Sequence, residues 1–273
     1  MIEINELNFS YSGRGRQLYQ SLSLNIAENG VYGLLGLNGE GKTTLLSLMC
    51  GLLRPKTGSV KLDGKEAFQG GVELLRNIFF VPDDGYMPYS TAAQAASFMR
   101  DFYPTFNGEF FADCLTAFAV PQENKLNAMS LGQRKKVLVS LALAAQTRYL
   151  LMDEPTNGLD IPSKTIFRQL VAKYVNEDSL VLISTHQVHD VENLLDHILI
   201  LHHGVMQCEA TIGELTDKYA FSIEQTNAQS ADVLYSEPMP MGNAVMRRRT
   251  ADMPETDINL ELFFNAVVNG KLN

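Results

Sequence analysis

A chain of 273 residues that is 45% hydrophobic holds enough apolar material for one large α/β domain with an appendage, or for two modest domains, and too much to stay disordered. Its 22 Lys and Arg against 31 Asp and Glu leave a formal net charge of −9, which disfavours a surface devoted to nucleic-acid phosphates. Cys50, Cys114 and Cys208 lie far apart without metal-ligand spacing, so they read as reduced, mostly buried thiols of a cytosolic protein. The opening MIEINELNFSYSG carries acids, unlike a signal peptide, and the apolar run Leu45 to Leu53 falls far short of the ~20 residues that span a bilayer.

Residues 2–9 alternate in polarity and predict a strand, and Leu22 to Ile26 a second, before the turn Asn29-Gly30. Val31 to Leu35 is a short apolar run suited to a buried parallel strand. After a glycine-rich loop, Thr43 to Leu52 predicts a helix stopped by Pro55 and Gly58, and Ser59 to Leu62 a strand. Ile78 to Val81 reads as a buried strand broken by Pro82. From about Thr91 to Ala128 the pattern is helical, with Phe98, Phe102, Phe106, Phe110, Phe111, Leu115 and Phe118 forming an aromatic stripe that reads as core. Leu131 to about Gln146 is a further helix, with Val137, Leu138, Leu141, Ala142 and Ala145 on one face. Tyr149 to Met152 and Leu180 to Ser184 are buried strands on either side of a helix from Lys164 to Val175. Strands alternating with helices imply a mainly parallel sheet wrapped by helices. After the strand Ile198 to Leu201 and the turn at Gly204, short strands (Ala220 to Gln225, Val233 to Ser236, Ala244 to Arg248) and a helix from Leu260 to Val268 suggest a small α+β appendage over 211–273. The basic clusters Arg134-Lys135-Lys136 and Arg247-Arg248-Arg249 read as solvated faces or partner contacts.

The segment Gly36-Leu37-Asn38-Gly39-Glu40-Gly41-Lys42-Thr43 fits G-x-x-x-x-G-K-[ST] between a predicted strand and a predicted helix. Glycines let the backbone curl around a phosphate with its N–H groups inward, and the following helix aims its positive end at the same anion. Lys42 can reach the terminal phosphates, and the Thr43 hydroxyl can ligate Mg²⁺. Leu150-Leu151-Met152-Asp153-Glu154-Pro155 is an apolar strand ending in two acids. Asp153 can hold Mg²⁺ through water beside Thr43, and Glu154 is placed to polarise an attacking water.

Met129-Ser130-Leu131-Gly132-Gln133 opens a helix with Ser130 as N-cap, and it resembles the L-S-G-G-Q signature of ABC (ATP-binding cassette) ATPases. The resemblance runs along roughly the first 205 residues. It implies an α/β P-loop NTPase core in a cassette over 1–210, with an N-terminal antiparallel β subdomain and a helical signature subdomain at about 84–148. Tyr11 looks like the aromatic that stacks on adenine, joining Gly36 to Thr44 as ATP-binding residues. Asn157-Gly158-Leu159-Asp160 looks like the D-loop and Ser184-Thr185-His186 like the switch histidine, which makes Glu154, His186 and Lys42 the catalytic candidates. Ser130, Gly132 and Gln133 would then complete the ATP site of a second cassette, so that two subunits sandwich two nucleotides. The sequence departs from the family twice: Leu131 stands where the first signature glycine is usual, and Asp83 where a glutamine is. Asp83 is thereby a candidate metal-side residue with Thr43 and Asp153, since carboxylate oxygen suits a hard cation.

The resemblance implies an ATPase requiring ATP and Mg²⁺, with a second cassette (a homodimer or a related subunit) and an integral membrane permease as partners and no nucleic acid. It would work at the cytoplasmic face of the membrane. The segment Phe102 to Asn107 and the run from Met129 to Lys136 are similar to bacterial export-type cassettes. The competing class is a soluble ABC ATPase of a cluster-assembly, ribosome or DNA-associated complex.

Overall fold

The computed structural model describes residues 1–11, 17–225, 232–240, 242–250 and 252–272. The alternation at the N-terminus forms β1 (Ile2–Phe9), which pairs antiparallel with β2 (Tyr19–Ile26). Register shifts around Leu7 turn that residue inward and Glu6, at φ 46°, outward. β1 also pairs with β4 (Thr57–Leu62), which a short β5 (Lys65–Glu66) extends, so the order is β2-β1-β4-β5. This is the expected antiparallel N-terminal sheet.

The second sheet has six strands in the order β10-β9-β3-β8-β7-β6: β3 (Gly30–Leu35), β6 (Ile78–Val81), β7 (Tyr149–Asp153), β8 (Leu180–Thr185), β9 (His197–His202) and β10 (Val205–Thr211). The pairs among β6, β7, β8, β3 and β9 are parallel, and β10 closes the edge antiparallel to β9. Every residue of β7 and β8 is buried, as unbroken apolar runs require when helices cover both faces. One apolar cluster packs α1 (Lys42–Met49) between this sheet and the N-terminal one, through Leu45, Leu46, Leu48 and Met49. A second lies on the opposite face, where α5 (Leu131–Ala145) and α6 (Ile161–Tyr174) pack.

The long helical stretch after β6 divides into α3 (Ala92–Phe102) and α4 (Gly108–Ala117), because Pro104 interrupts it and the Asn107 side chain caps the next helix by accepting from the amides of Glu109 and Phe110. Phe111, Leu115 and Phe118 are core, but Phe98 is 51% exposed, so the aromatic stripe is apolar interior only along its second half. α6 begins at Ile161, three residues before the expected Lys164, because Asp160 caps it and Pro162 fits a first turn. α2 (Gly71–Leu75) had no clear periodic signal.

Beyond β10 come α7 (Ile212–Lys218), β11 (Tyr219–Glu224), β12 (Val233–Met239), β13 (Gly242–Arg248) and α8 (Leu260–Val268). The three strands form a separate antiparallel sheet in the order β11-β13-β12. α8 has the predicted bounds, and its Leu260, Leu262 and Phe263 join the same apolar cluster as Val188, Leu195 and Leu215. Among the described residues, no helix is long and apolar enough to cross a membrane.

Candidate active site

The phosphate loop leaves the carboxyl end of β3, between β8 and β9, where an open parallel sheet places its crevice. Gly41 precedes α1 with φ 104°, and a Cβ there would lie 2.5 Å from the Tyr19 hydroxyl, which donates to the Gly41 carbonyl. The amino end of α1 has no side-chain cap and no acid in its first turn, which leaves its amides for an anion. Lys42 is buried, and its ammonium donates to the carbonyls of Gly36 (2.7 Å) and Leu37 (3.2 Å) and lies 3.9 Å from Glu154 Oε1. Burial pulls its pKa below the ordinary lysine value, against the opposing charges of Glu154, Asp153 and Glu40. Leu37, Asn38 and Gly39 stand exposed at the tip of the loop. Tyr11 is 54% exposed, edge-on to Phe9, with its hydroxyl 2.9 Å from Thr44 Oγ1.

Thr43 Oγ1 donates to Asp153 Oδ2 at 2.6 Å, and the Ser184 hydroxyl donates to the other oxygen of that buried carboxylate. The next residue, Glu154, has φ 45°, the left-handed region. Its amide donates to the Ser184 carbonyl at 3.0 Å, its Oε2 accepts from Thr185 Oγ1 at 3.2 Å, and its Oε1 lies 2.8 Å from His186 Nδ1. The structure therefore brings Lys42, Thr43, Asp153, Glu154 and His186 together at the ends of β3, β7 and β8. Two hard oxygen ligands and a buried ammonium beside uncapped helix amides suit a magnesium–polyphosphate group.

Asp83 does not bond to this Thr43–Asp153 pair. Its Oδ1 accepts from Lys135 Nζ at 2.7 Å and from Asn157 Nδ2 at 3.2 Å. Lys135 has no solvent exposure and also donates to the Glu154 carbonyl at 2.6 Å. The basic cluster at 134–136 is thus not a solvated face at its centre. Lys135 stands three and four residues before the buried Leu138 and Val139, and that helical spacing was the signal that could have found it. The cluster at 247–249 departs from expectation too, since Arg247 pairs with Glu224 and Asp232, and Arg249 with Asp217 and Glu255.

In the signature segment, Ser130 Oγ accepts from the Gln133 amide at 3.2 Å and Gln133 Oε1 from the Ser130 amide at 3.0 Å, a capping box at the start of α5. Leu131 is 42% exposed. Gly132 is needed for close approach, because a Cβ there would sit 2.6 Å from the Gly158 carbonyl oxygen. Signature and D-loop are thus packed together, and Asp160 is held below the usual carboxylate pKa by hydrogen bonds with Ser163 at the start of α6.

The ABC transporter family model matches residues 19–157. The chain belongs to the ABC transporter family. It is 27% identical to the ABC transporter ATP-binding protein YtrB of Bacillus subtilis, over 99% of each chain. It is 28% identical to the bacitracin transport ATP-binding protein BcrA of Bacillus licheniformis, over 79% of this chain and 72% of that one. The solved dimeric structure of a bacterial ABC transporter cassette aligns with a TM-score of 0.67 at 25% identity, over 77% of this chain and 98% of the other. ABC cassettes are ATPases, and this chain is an ATP-binding cassette of that kind, built on the P-loop α/β fold.

Proposed function

We propose that this chain is the nucleotide-binding subunit of a membrane exporter, with a cassette over 1–210 (its helical subdomain at about 84–148) and an α+β appendage over 211–273. The observation that carries the hydrolytic part is the contact of Glu154 with His186 at 2.8 Å, beside buried Lys42. ATP lies along Gly36 to Thr44 with its base on Tyr11. Lys42 exchanges its carbonyl partners for the terminal phosphates, and Glu154 takes the proton of the attacking water while His186 fixes its carboxylate. Thr43 and Asp153 are the residues to hold Mg²⁺, with Asp83 on the metal side through the oxygen that Lys135 leaves free. The ion supplies charge neutralisation on the phosphates when bound.

Ser130, Gly132 and Gln133 serve the ATP of a second cassette, identical or related, across an interface to which the D-loop residue Asp160 also belongs. Ser130 can donate its hydroxyl proton and Gln133 its Nε2 protons while the capping box stays closed, because the box uses only their acceptor oxygens. Closed and open pairs bind ATP and ADP differently, and that difference can drive an integral membrane permease from its cytoplasmic face. The likeness to a bacitracin transport ATP-binding protein supports transport as the role. Mild-detergent purification of the tagged chain from its own cells tests the assignment. A stoichiometric polytopic membrane protein is the expected companion, and recovery with soluble proteins or RNA alone would move the chain to a soluble ATPase complex. In vesicles holding that companion, ATP supplied on the cassette side should drive cargo away from that side, and movement towards it contradicts export.

A further inference from the structure

Glu40 belongs to the phosphate loop, but its carboxylate turns away towards the hairpin joining β9 and β10. There it meets His202 and His203, and one ligand atom from each of the three residues falls within 4.8 Å of the others. Glu40 Oε1 lies 3.2 Å from His202 Nδ1 and 3.8 Å from His203 Nδ1, while Oε2 accepts from the His203 amide at 2.6 Å. The two rings lie side by side with centroids 3.8 Å apart. The His202 side chain is 12% exposed, and its Nδ1 is buried without a hydrogen-bond partner. An orphaned buried imidazole nitrogen is costly, and this one faces a carboxylate oxygen.

We propose that Glu40, His202 and His203 form a binding site for a divalent transition-metal ion of the zinc class, with a fourth position open to water. Zinc takes imidazole nitrogen and carboxylate oxygen at ~2.1 Å in a tetrahedron, which sets neighbouring ligand atoms about 3.4 Å apart. The two separations to Glu40 Oε1, 3.2 and 3.8 Å, bracket that value. Two imidazoles and one carboxylate select zinc over magnesium, which prefers oxygen ligands in an octahedron. The backbone amide on Oε2 supplies the outer hydrogen bond that orients a ligating carboxylate. An ion here fastens the phosphate loop to the β9–β10 hairpin, and it is distinct from the magnesium expected at Thr43 and Asp153.

The test is a Zn²⁺ titration of the chelator-treated, nucleotide-free chain against a competing chromophoric chelator, with Co²⁺ absorption as the geometric readout. One Zn²⁺ per chain and visible tetrahedral Co²⁺ bands are expected. His203→Asn keeps a residue that tolerates the left-handed backbone at φ 52°. It should weaken Zn²⁺ binding by about tenfold or more, and His202→Gln likewise. His203 is 73% exposed, so its variant folds and decides the question even if His202→Gln does not. A wild-type chain that binds no Zn²⁺, or a His203→Asn chain with wild-type affinity and stoichiometry, overturns the proposal.

Discussion

Replacing Lys135 and Asp83 singly and together asks whether one buried ammonium ties the loop after β6 to the catalytic turn. Lys135 has no access to water and bonds to Asp83 Oδ1 at 2.7 Å and the Glu154 carbonyl at 2.6 Å, whereas the Asp83 side chain is 46% exposed. Asp83→Asn strips the carboxylate from that ammonium. Breaking a fully buried pair on one side costs about 3–5 kcal/mol, and solvent around Asp83 screens part of this, so a loss of about 2–3 kcal/mol is expected. Lys135→Met removes the charge and keeps the apolar stem, but leaves the Glu154 carbonyl without its donor, a loss of about 1–2 kcal/mol. The double variant buries no charge, so the two losses should fall short of additivity by about 1–2 kcal/mol, beyond the ~0.5 kcal/mol scatter of independent sites. Urea midpoints at a common m-value give the four corners of the cycle. Turnover is a separate readout. Lys135→Met frees the carbonyl of a residue at φ 45°, and kcat should drop about 10–100-fold with KM for ATP little changed. Additive stability losses together with wild-type turnover would refute the positioning role, and Asp83→Asn with unaltered Mg²⁺ dependence would remove Asp83 from the metal side.

Glu154→Gln should retain ATP binding and lower turnover by a factor of about 10²–10⁴, the scale of general-base loss; near-normal phosphate release would overturn the base assignment. Gly132→Ala places a methyl 2.6 Å from the Gly158 carbonyl oxygen, and the overpacking should cost about 1–3 kcal/mol and weaken ATP-dependent pairing in size-exclusion chromatography. An unchanged ATP-induced elution shift would show that signature and D-loop separate freely. Burial pulls the His189 pKa down, but Glu192 and Glu261 outweigh it and the net shift is upward from 6.5. The linked stability is therefore fully present below about pH 6.5 and is lost as pH rises through the higher folded value. Since His189 Nε2 lies 2.5 Å from Glu261 Oε2 at the start of α8, proteolytic release of residues after β13 should quicken above that pH, and His189→Gln should abolish the dependence.

What the sequence showed best was what repeats a short physical pattern. The runs at Tyr149 and Leu180 are apolar at every position because both faces of those strands are covered, and burial of all their residues follows directly. The loop from Gly36 to Thr43 and the acids at Asp153 and Glu154 each carry their chemistry in adjacent residues, so each motif is legible alone, while their meeting depends on β3, β8 and β7 lying side by side. Lys135 was missed because charge was read over its neighbours Arg134 and Lys136 before helical position was considered. β10 alternates exposed and half-buried residues at a sheet edge, where no deep burial enforces a pattern. The pairing of Glu40 with His202 and His203 depends on β3 and β9 being adjacent, a non-local fact that spacing along the chain does not carry.

The geometry at Glu154 also bears on how an event at the signature can reach the reaction. A non-glycine residue in the left-handed region costs about 1–2 kcal/mol and persists when its surroundings over-determine it. Here its amide and one carboxylate oxygen are held by the end of β8, its other oxygen by His186, and its carbonyl by Lys135. The first three anchors belong to the β7–β8 edge. The fourth belongs to α5, which also carries Ser130 and Gln133 at its amino end. If the signature end of α5 engages a partner's nucleotide as proposed, any tilt of the helix would move Lys135, because the intervening residues form one continuous helix. A displaced ammonium either drags the Glu154 carbonyl or releases it, and both change the backbone that aims the catalytic carboxylate. Asp83 is held by the same ammonium from the other side, so the loop after β6 and the turn at Glu154 share one anchor.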